Sequence, residues 1–569
     1  MLELALPRFF LLPLAFLSVA LAQNACEGTP AYKPCELAFE VPSNPNPYTS
    51  VQLEVEFKSP KFKTFLMPAF WTGGDRMIVR FTPTEAGQWE YRITSNVPGL
   101  TGKTGSFTAA ASSAPGFVVT ANVHHWATEN KQPHLWMGWT ADRLTFATDT
   151  EFASALDTAA GHRFTHIRCS LLGGSNEFRA PDQPNFEYFD KLDGRLRQIH
   201  DKGIAADLLL APDPDYLRRL FPDWQARERF LKYLIARYAA FNITWQGFAE
   251  WENAADGRAL LKELGLALKK FDPYQHPRSS GAKITSAPLL ADGWMTYIVE
   301  GSTDPQVGSI EHQLYQVPFV GITDAAHLWS TTMEGSYPQL QPGNEEVAKA
   351  WFSLIGDTRH WELEPFFDLD GGRAVALEDV EYLVYIEKPA GPVEVSVEKH
   401  GYDIQWFNPA NGEMLAAKKY KGEHFIGEPP DRSHPWLLLV AREGRKESML
   451  KSYKFESRAV PVQEVEASTS KVPYEIAQPT GNSLTIQSTP YGVKMRKETR
   501  ATRSMMFLWT GEVPADGRGF RVLGTGAQGT FAIPSVLAQK YPAVFSIRVS
   551  AINANGKVYS ADKVYELTQ

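Results

Sequence analysis

Apolar and polar residues alternate with period two along the first part of the chain, in Leu37–Val41, Val51–Phe57, Arg76–Phe81 and Gln88–Ile93. Alternate side chains of a strand face opposite sides of a sheet, so these runs, with turn residues between them, predict an antiparallel β-sandwich. Ala109–Gly116 has the composition of a linker. From about residue 117 the pattern changes to short apolar runs separated by amphipathic stretches with helical spacing. The runs are Leu135–Trp139, Thr165–Leu171, Ile204–Leu210, Ile243–Phe248, Pro277–Ser280, Tyr297–Glu300, Val317–Ile322 and Gly335–Tyr337. The clearest helices between them span Tyr188–His200, Trp224–Phe241, Arg258–Phe271 and Glu345–Trp361. Repeated βα units predict a parallel sheet, and eight of them predict a (β/α)8 TIM barrel. Beyond about 363 the period returns to two, in Glu381–Glu387, Pro392–Val397, Tyr402–Phe407 and Trp436–Val440, and again in Ser504–Thr510, Gly519–Leu523 and Val544–Ala551. The expected organisation is a leader over 1–22, a β-sandwich over 23–112, the barrel over 117–362, a β domain over 363–442 and a fibronectin-like sandwich over 481–569.

Length agrees with several domains, since single cores stop growing at roughly 250–300 residues and the chain has 569. A composition of 43% hydrophobic and 21% charged residues argues against a disordered chain and against a membrane protein. The net charge of −8, with no basic cluster, argues against nucleic acid as a partner. Arg8, the apolar run Phe9–Val19 and the small-residue site Ala20–Ala22 read as a secretory leader, so the protein is expected to be secreted or periplasmic. That run is too short for a membrane span, and no later segment is long and apolar enough. Gln23–Ala25 is a poor lipobox, which weighs against lipid attachment at Cys26. Cys26 and Cys35 are expected to close a small disulfide loop, and Cys169 to be a buried thiol. His124 and His125 are adjacent rather than four apart, and no Cys/His spacing marks a metal site; no cofactor is expected. Some of the 15 Trp could stack on sugar rings, but sandwich cores account for most of them.

In a TIM barrel the reactive groups sit at the C-terminal ends of the strands. The first strand ends in Trp139 and leads to Asp142; the second carries Arg168; the third leads to Asp213 and Asp215. The fourth ends in Glu250, Trp251 and Glu252, the sixth in Glu300 and the seventh in Asp324, and Glu334 lies in the turn before the eighth. Carboxylates and aromatics around one mouth suit glycosidic cleavage, in which one carboxylic acid protonates the leaving oxygen and a second carboxylate attacks the anomeric carbon or activates water. The expected catalytic residues are Glu250 and Asp324, with Trp139, Arg168, Trp251, Glu252, Glu300 and Glu334 shaping the sugar site. Competing assignments exist: Asp324 could be a helix N-cap, Glu334 a surface turn residue, and Arg168 a buttress that needs a carboxylate partner.

Several segments resemble the apiosidase-like glycoside hydrolases. Phe117–Thr120 with His134–Thr140 is similar to the first strand of those barrels, and Ile243–Glu250 to the fourth, whose terminal acidic residue is the family's acid/base. Asp272–Ser280, Trp294–Ile298 and Ser309–Val320 resemble further segments of related barrels. The resemblance, over about 36–442, implies an N-terminal β-sandwich domain of unknown function. It also implies a C-terminal domain named for collagen binding, a name that does not establish that activity. In the family the seventh strand leads to a nucleophilic Glu; Val317–Asp324 offers none, so Asp324, Glu300 or Glu334 would have to substitute. Two functions remain open: a glycoside hydrolase acting on an oligo- or polysaccharide, or a non-catalytic carbohydrate-binding or surface-adhesion protein that has kept the barrel.

Overall fold

The computed structural model describes residues 26–41, 46–452, 474–476, 483–488, 504–526, 528–532 and 543–567. The expected leader, 1–22, lies outside them. No helix among the described residues is long and apolar enough to cross a membrane.

Eight parallel strands form the central barrel: Gly138–Thr140, His166–Ser170, Ala205–Leu209, Ile243–Gln246, Arg278–Ser279, Ile298–Glu300, Phe319–Thr323 and Tyr337–Leu340. They are paired in the spatial order 5-4-3-2-1-8-7-6. Strands five and six are joined by bonds from the Thr296 amide to the Arg278 carbonyl and from the Arg278 amide to the Thr296 hydroxyl, each 2.9 Å. This is the fold the alternation of apolar runs and helices predicts. Helices wrap the barrel with their apolar stripes inward; Gly257–Phe271 buries Leu260, Leu261, Leu264 and Leu268. Gly265 on that helix lets the Trp294 ring approach so closely that an added Cβ would stand 2.1 Å from it. A hairpin, Val118–Ala121 with His125–Thr128, covers the N-terminal end of the barrel. There Trp126 packs on Trp136 and Tyr297, with ring centroids 4.6 and 5.3 Å apart.

Antiparallel sheets flank the barrel, as period-two alternation requires. On the N-terminal side a three-stranded and a four-stranded sheet enclose Phe57, Phe81, Trp89 and Phe107, and a disulfide joins Cys26 to Cys35. Arg80 carries this unit onto the barrel, donating to Asp193 (2.6 Å), to Glu36 (2.9 Å) and to the Arg237 carbonyl. On the C-terminal side, strands between Glu364 and Arg442 form a further antiparallel sheet around a core of their own. The last strands, Ser504–Glu512, Arg521–Thr525, Ala543–Asn553 and Val558–Leu567, pack Leu508, Ile552 and Val558 on Val307, Ile310 and Leu314 of the barrel helix Pro305–Leu314.

Candidate active site

The second barrel strand is buried throughout yet carries His166, Arg168 and Ser170 at alternate positions. Arg168 donates through Nε and Nη2 to the two carboxylate oxygens of Asp142, just past the first strand, both at 2.9 Å. A buried guanidinium needs such a fork, and the bidentate pair fixes both side chains at the mouth. Its Nη1 is buried with no partner among the described residues, as are Gln246 Oε1, Ser279 Oγ and Gln339 Oε1. Below them His166 Nδ1 bonds Asp207 Oδ1 (2.8 Å), which also accepts from Thr244 (2.7 Å). Beside Asp142 opens a cleft of about 650 Å³ lined by Thr140, Arg143, Phe146, Glu151 and Gln341.

Glu250 follows the fourth strand and is exposed, with its carboxylate accepting from Asn253 Nδ2 at 2.9 Å. The next two residues turn away from the mouth. Trp251 is buried and donates its indole N–H to the Thr285 carbonyl (3.0 Å). Glu252 spends both oxygens on the Lys283 and Ile284 amides, at 2.9 and 3.0 Å. Burial pushes its carboxyl above the usual range, with the amide bonds opposing. It therefore clamps the loop after strand five to the loop after strand four. Gly281 permits their closeness, because an added Cβ would lie 2.2 Å from the Ala249 carbonyl oxygen.

Asp324 lies one residue past the seventh strand and is half-buried; its Oδ1 accepts from the amide (2.9 Å) and Nδ1 (2.8 Å) of His327. Burial works to raise its pKa, but the His327 bonds win and hold it below the usual carboxylate range.

Three residues expected to line the sugar site lie behind the barrel wall. Trp139 faces the helical layer, where its ring stacks on Phe164 (centroids 5.9 Å apart) and its N–H donates to Glu345. Glu300 is 1% exposed and meets Glu311 of the helix Pro305–Leu314. Glu334, 3% exposed, ends the helix Leu328–Met333 against Gly308 instead of occupying a surface turn. Burial raises all three carboxyls, Glu300 and Glu334 well above the ordinary range and Glu311 to about 7. Trp251 is buried beneath the loop after strand five, and Glu252 has both carboxylate oxygens engaged by that loop's amides. Sequence reasoning reached Arg168 and its need for a carboxylate, but did not assign Asp142, Asp207, Gln246 or Gln339 to the site. The available signal was the polar residues at alternate positions of otherwise apolar buried strands.

Comparison with known proteins gives this geometry a context. Residues 120–299 match a family model described as apiosidase-like, catalytic domain, and residues 28–96 match a domain of unknown function, DUF5060. No curated protein matches the chain in sequence. A candidate glycoside hydrolase from Bacteroides vulgatus ATCC 8482 shares the fold with a TM-score of 0.63 at 18% identity, covering 73% of this chain and 100% of its own. A glycoside hydrolase family 5 protein from the same organism aligns with a TM-score of 0.51 at 14% identity, covering 62% of this chain and 98% of its own. The apiosidase-like match includes Glu250 and ends before the seventh strand. The chain thus carries a glycoside-hydrolase fold whose central domain matches the apiosidase-like catalytic domain and whose N-terminal domain matches DUF5060.

Proposed function

We propose that this protein is an exported glycosidase that cleaves an oligo- or polysaccharide, with Glu250 as general acid/base. The observation that carries the reading is Glu250 itself: an exposed carboxyl following the fourth strand of a glycoside-hydrolase barrel, inside the apiosidase-like match. Glu250 would give its proton to the glycosidic oxygen as the bond to the anomeric carbon breaks. Asp324 is the second carboxylate of this reading. Its bonds from His327 favour the ionised form, which suits a group that attacks the anomeric carbon or takes a proton from water, not one that donates. Arg168 holds the Asp142 carboxylate in place at the mouth through its fork. Export is supported by the Cys26–Cys35 disulfide, which belongs to an oxidising compartment.

The test is hydrolysis of a glycan panel by the mature protein beside Glu250→Gln. Product release that falls by about 10²–10⁴ in the variant is expected from losing a general acid. A variant as active as the parent removes Glu250 from the reaction. The short connection of Asp324 to His327 favours a second reading, a carbohydrate-binding protein without turnover. Glycan binding with no product from any panel member would establish that one.

A further inference from the structure

Away from the mouth, four histidines gather where the floor hairpin meets the helix Pro305–Leu314 and the strand Glu364–Phe366 that begins the C-terminal sheet. His124 Nδ1 stands 3.0 Å from Glu364 Oε2, His312 Nε2 stands 3.7 Å from the same oxygen, and His125 Nε2 stands 3.3 Å from Oε1. One donor atom each from His124, His312 and Glu364 lie within 4.8 Å of one another. His360 is buried close by.

Hydrogen bonding around His124 is short of a positive charge. Its Nε2 lies 2.9 Å from the Tyr315 carbonyl, which can only accept, so that nitrogen bears the proton. In the neutral ring Nδ1 then presents a lone pair to a carboxylate, two acceptors facing each other. His312 Nε2 is buried without a hydrogen-bond partner among the described residues and points to the same carboxylate. A tetrahedral ion with bonds of about 2.0–2.1 Å holds its ligands about 3.3 Å apart, between the 3.0 and 3.7 Å that separate the His124 and His312 nitrogens from Glu364 Oε2. The His124-to-carbonyl bond is also the outer-sphere contact that fixes the tautomer of a metal-bound imidazole. The turn that delivers His124 has Asn122 and the β-branched Val123 at φ 43° and 65°, a left-handed backbone that such a residue rarely adopts.

We propose that His124, His312 and Glu364 bind a divalent transition-metal ion of the zinc class, which staples the barrel floor to the C-terminal sheet. Two imidazoles and a carboxylate suit zinc better than calcium or magnesium, which prefer all-oxygen shells. The remaining tetrahedral position falls to water or to His125 Nε2. Glu364, with its side chain 42% exposed, leaves a path for entry.

The test uses the full mature protein, stripped with a chelator and titrated with zinc chloride and with cobalt chloride. One zinc per chain, a tetrahedral cobalt visible spectrum and a higher thermal midpoint with zinc are expected. Glu364→Gln, at a partly exposed position, should keep its circular dichroism and lose at least about tenfold in zinc affinity, the scale of disturbing a metal's ligand environment; His312→Gln should do the same. Failure of the parent to take up cobalt in tetrahedral form overturns the proposal and leaves His124 as an imidazolium paired with Glu364. Zinc binding that is unchanged in folded Glu364→Gln overturns it too, by moving the ion elsewhere.

Discussion

At the scale of single residues, the mouth rests on paired charges rather than isolated ones. Arg168 is 4% exposed and is held by both oxygens of Asp142. A lysine at that position keeps the charge but cannot reproduce the fork. Arg168→Lys is therefore expected to lower kcat/KM on any substrate by about tenfold or more, from loss of one charge-assisted bond of about 1.5–3 kcal/mol. Retained circular dichroism and unchanged kcat/KM would exclude Arg168 from the site. Glu311 supports a different expectation. Burial raises its carboxyl from 4.5 to about 7, against bonds from Thr285 and with Glu300. The folded state therefore keeps a proton that the unfolded chain releases above about pH 4.5, so this contribution to stability is complete below that pH and is lost as pH rises through 7. Glu311→Gln removes the ionisation. Its thermal midpoint should fall less than the parent's between about pH 5 and pH 8, a comparison that calorimetry across that window makes directly. Parallel declines would mean that the carboxyl ionises alike in both states.

At the scale of elements, the loops after strands four and five behave as one piece. Glu252 accepts two amides of the second loop from within the first, and Trp251 donates to a carbonyl of the second. Removing the carboxylate leaves two amide donors without their charged acceptor, at about 1–3 kcal/mol. The loss is local. In Glu252→Ala the Lys283 and Ile284 amides should exchange with solvent about 5- to 150-fold faster, while amides of the helix Gly257–Phe271 keep their protection. Uniform acceleration across the barrel would mean that the clamp supports the whole fold.

At the scale of the whole molecule, the flanking sheets are docked through specific contacts. Arg80, 3% exposed, joins the N-terminal sheets to Asp193, on the barrel helix Phe186–Asp201, and to the Arg237 carbonyl. Arg80→Ala leaves Asp193 paired with Arg237 alone, whose Nε and Nη2 donate to its two oxygens at 3.1 and 3.0 Å, so the loss is that of a charge-assisted bond, about 1.5–3 kcal/mol. Unfolding by urea should shift to a lower midpoint by that amount. If the N-terminal unit instead melts separately while the barrel transition stays put, the pair is an inter-unit latch and contributes little to the barrel. Near the mouth, Arg518 Nε donates to the Ala255 carbonyl (3.1 Å) and the Thr525 hydroxyl to Asp304, so the last sheet borders the loops after strands four and six.

Hydrophobic periodicity by itself determined the order and kind of the elements. Eight apolar runs separated by helical stripes have few solutions other than a parallel barrel, and period-two runs make antiparallel sheets. It also determined that Glu250 follows a barrel strand, because strand and helix boundaries bracket that residue closely. Which way each strand residue faces was left to the tertiary structure. A parallel barrel strand is buried on both faces, so its apolar residues do not distinguish interior from helical layer, and the only hint is a polar residue at alternate positions, as in His166, Arg168 and Ser170. A one-residue step then decides the outcome: Arg168 points to the mouth, while Trp139 and Glu300 point away from it. Only the folded chain could bring Asp142 to Arg168, or gather His124, His312 and Glu364 from a hairpin, a helix and a sheet edge. Such convergence depends on chain crossings far apart in sequence, and no local spacing records them.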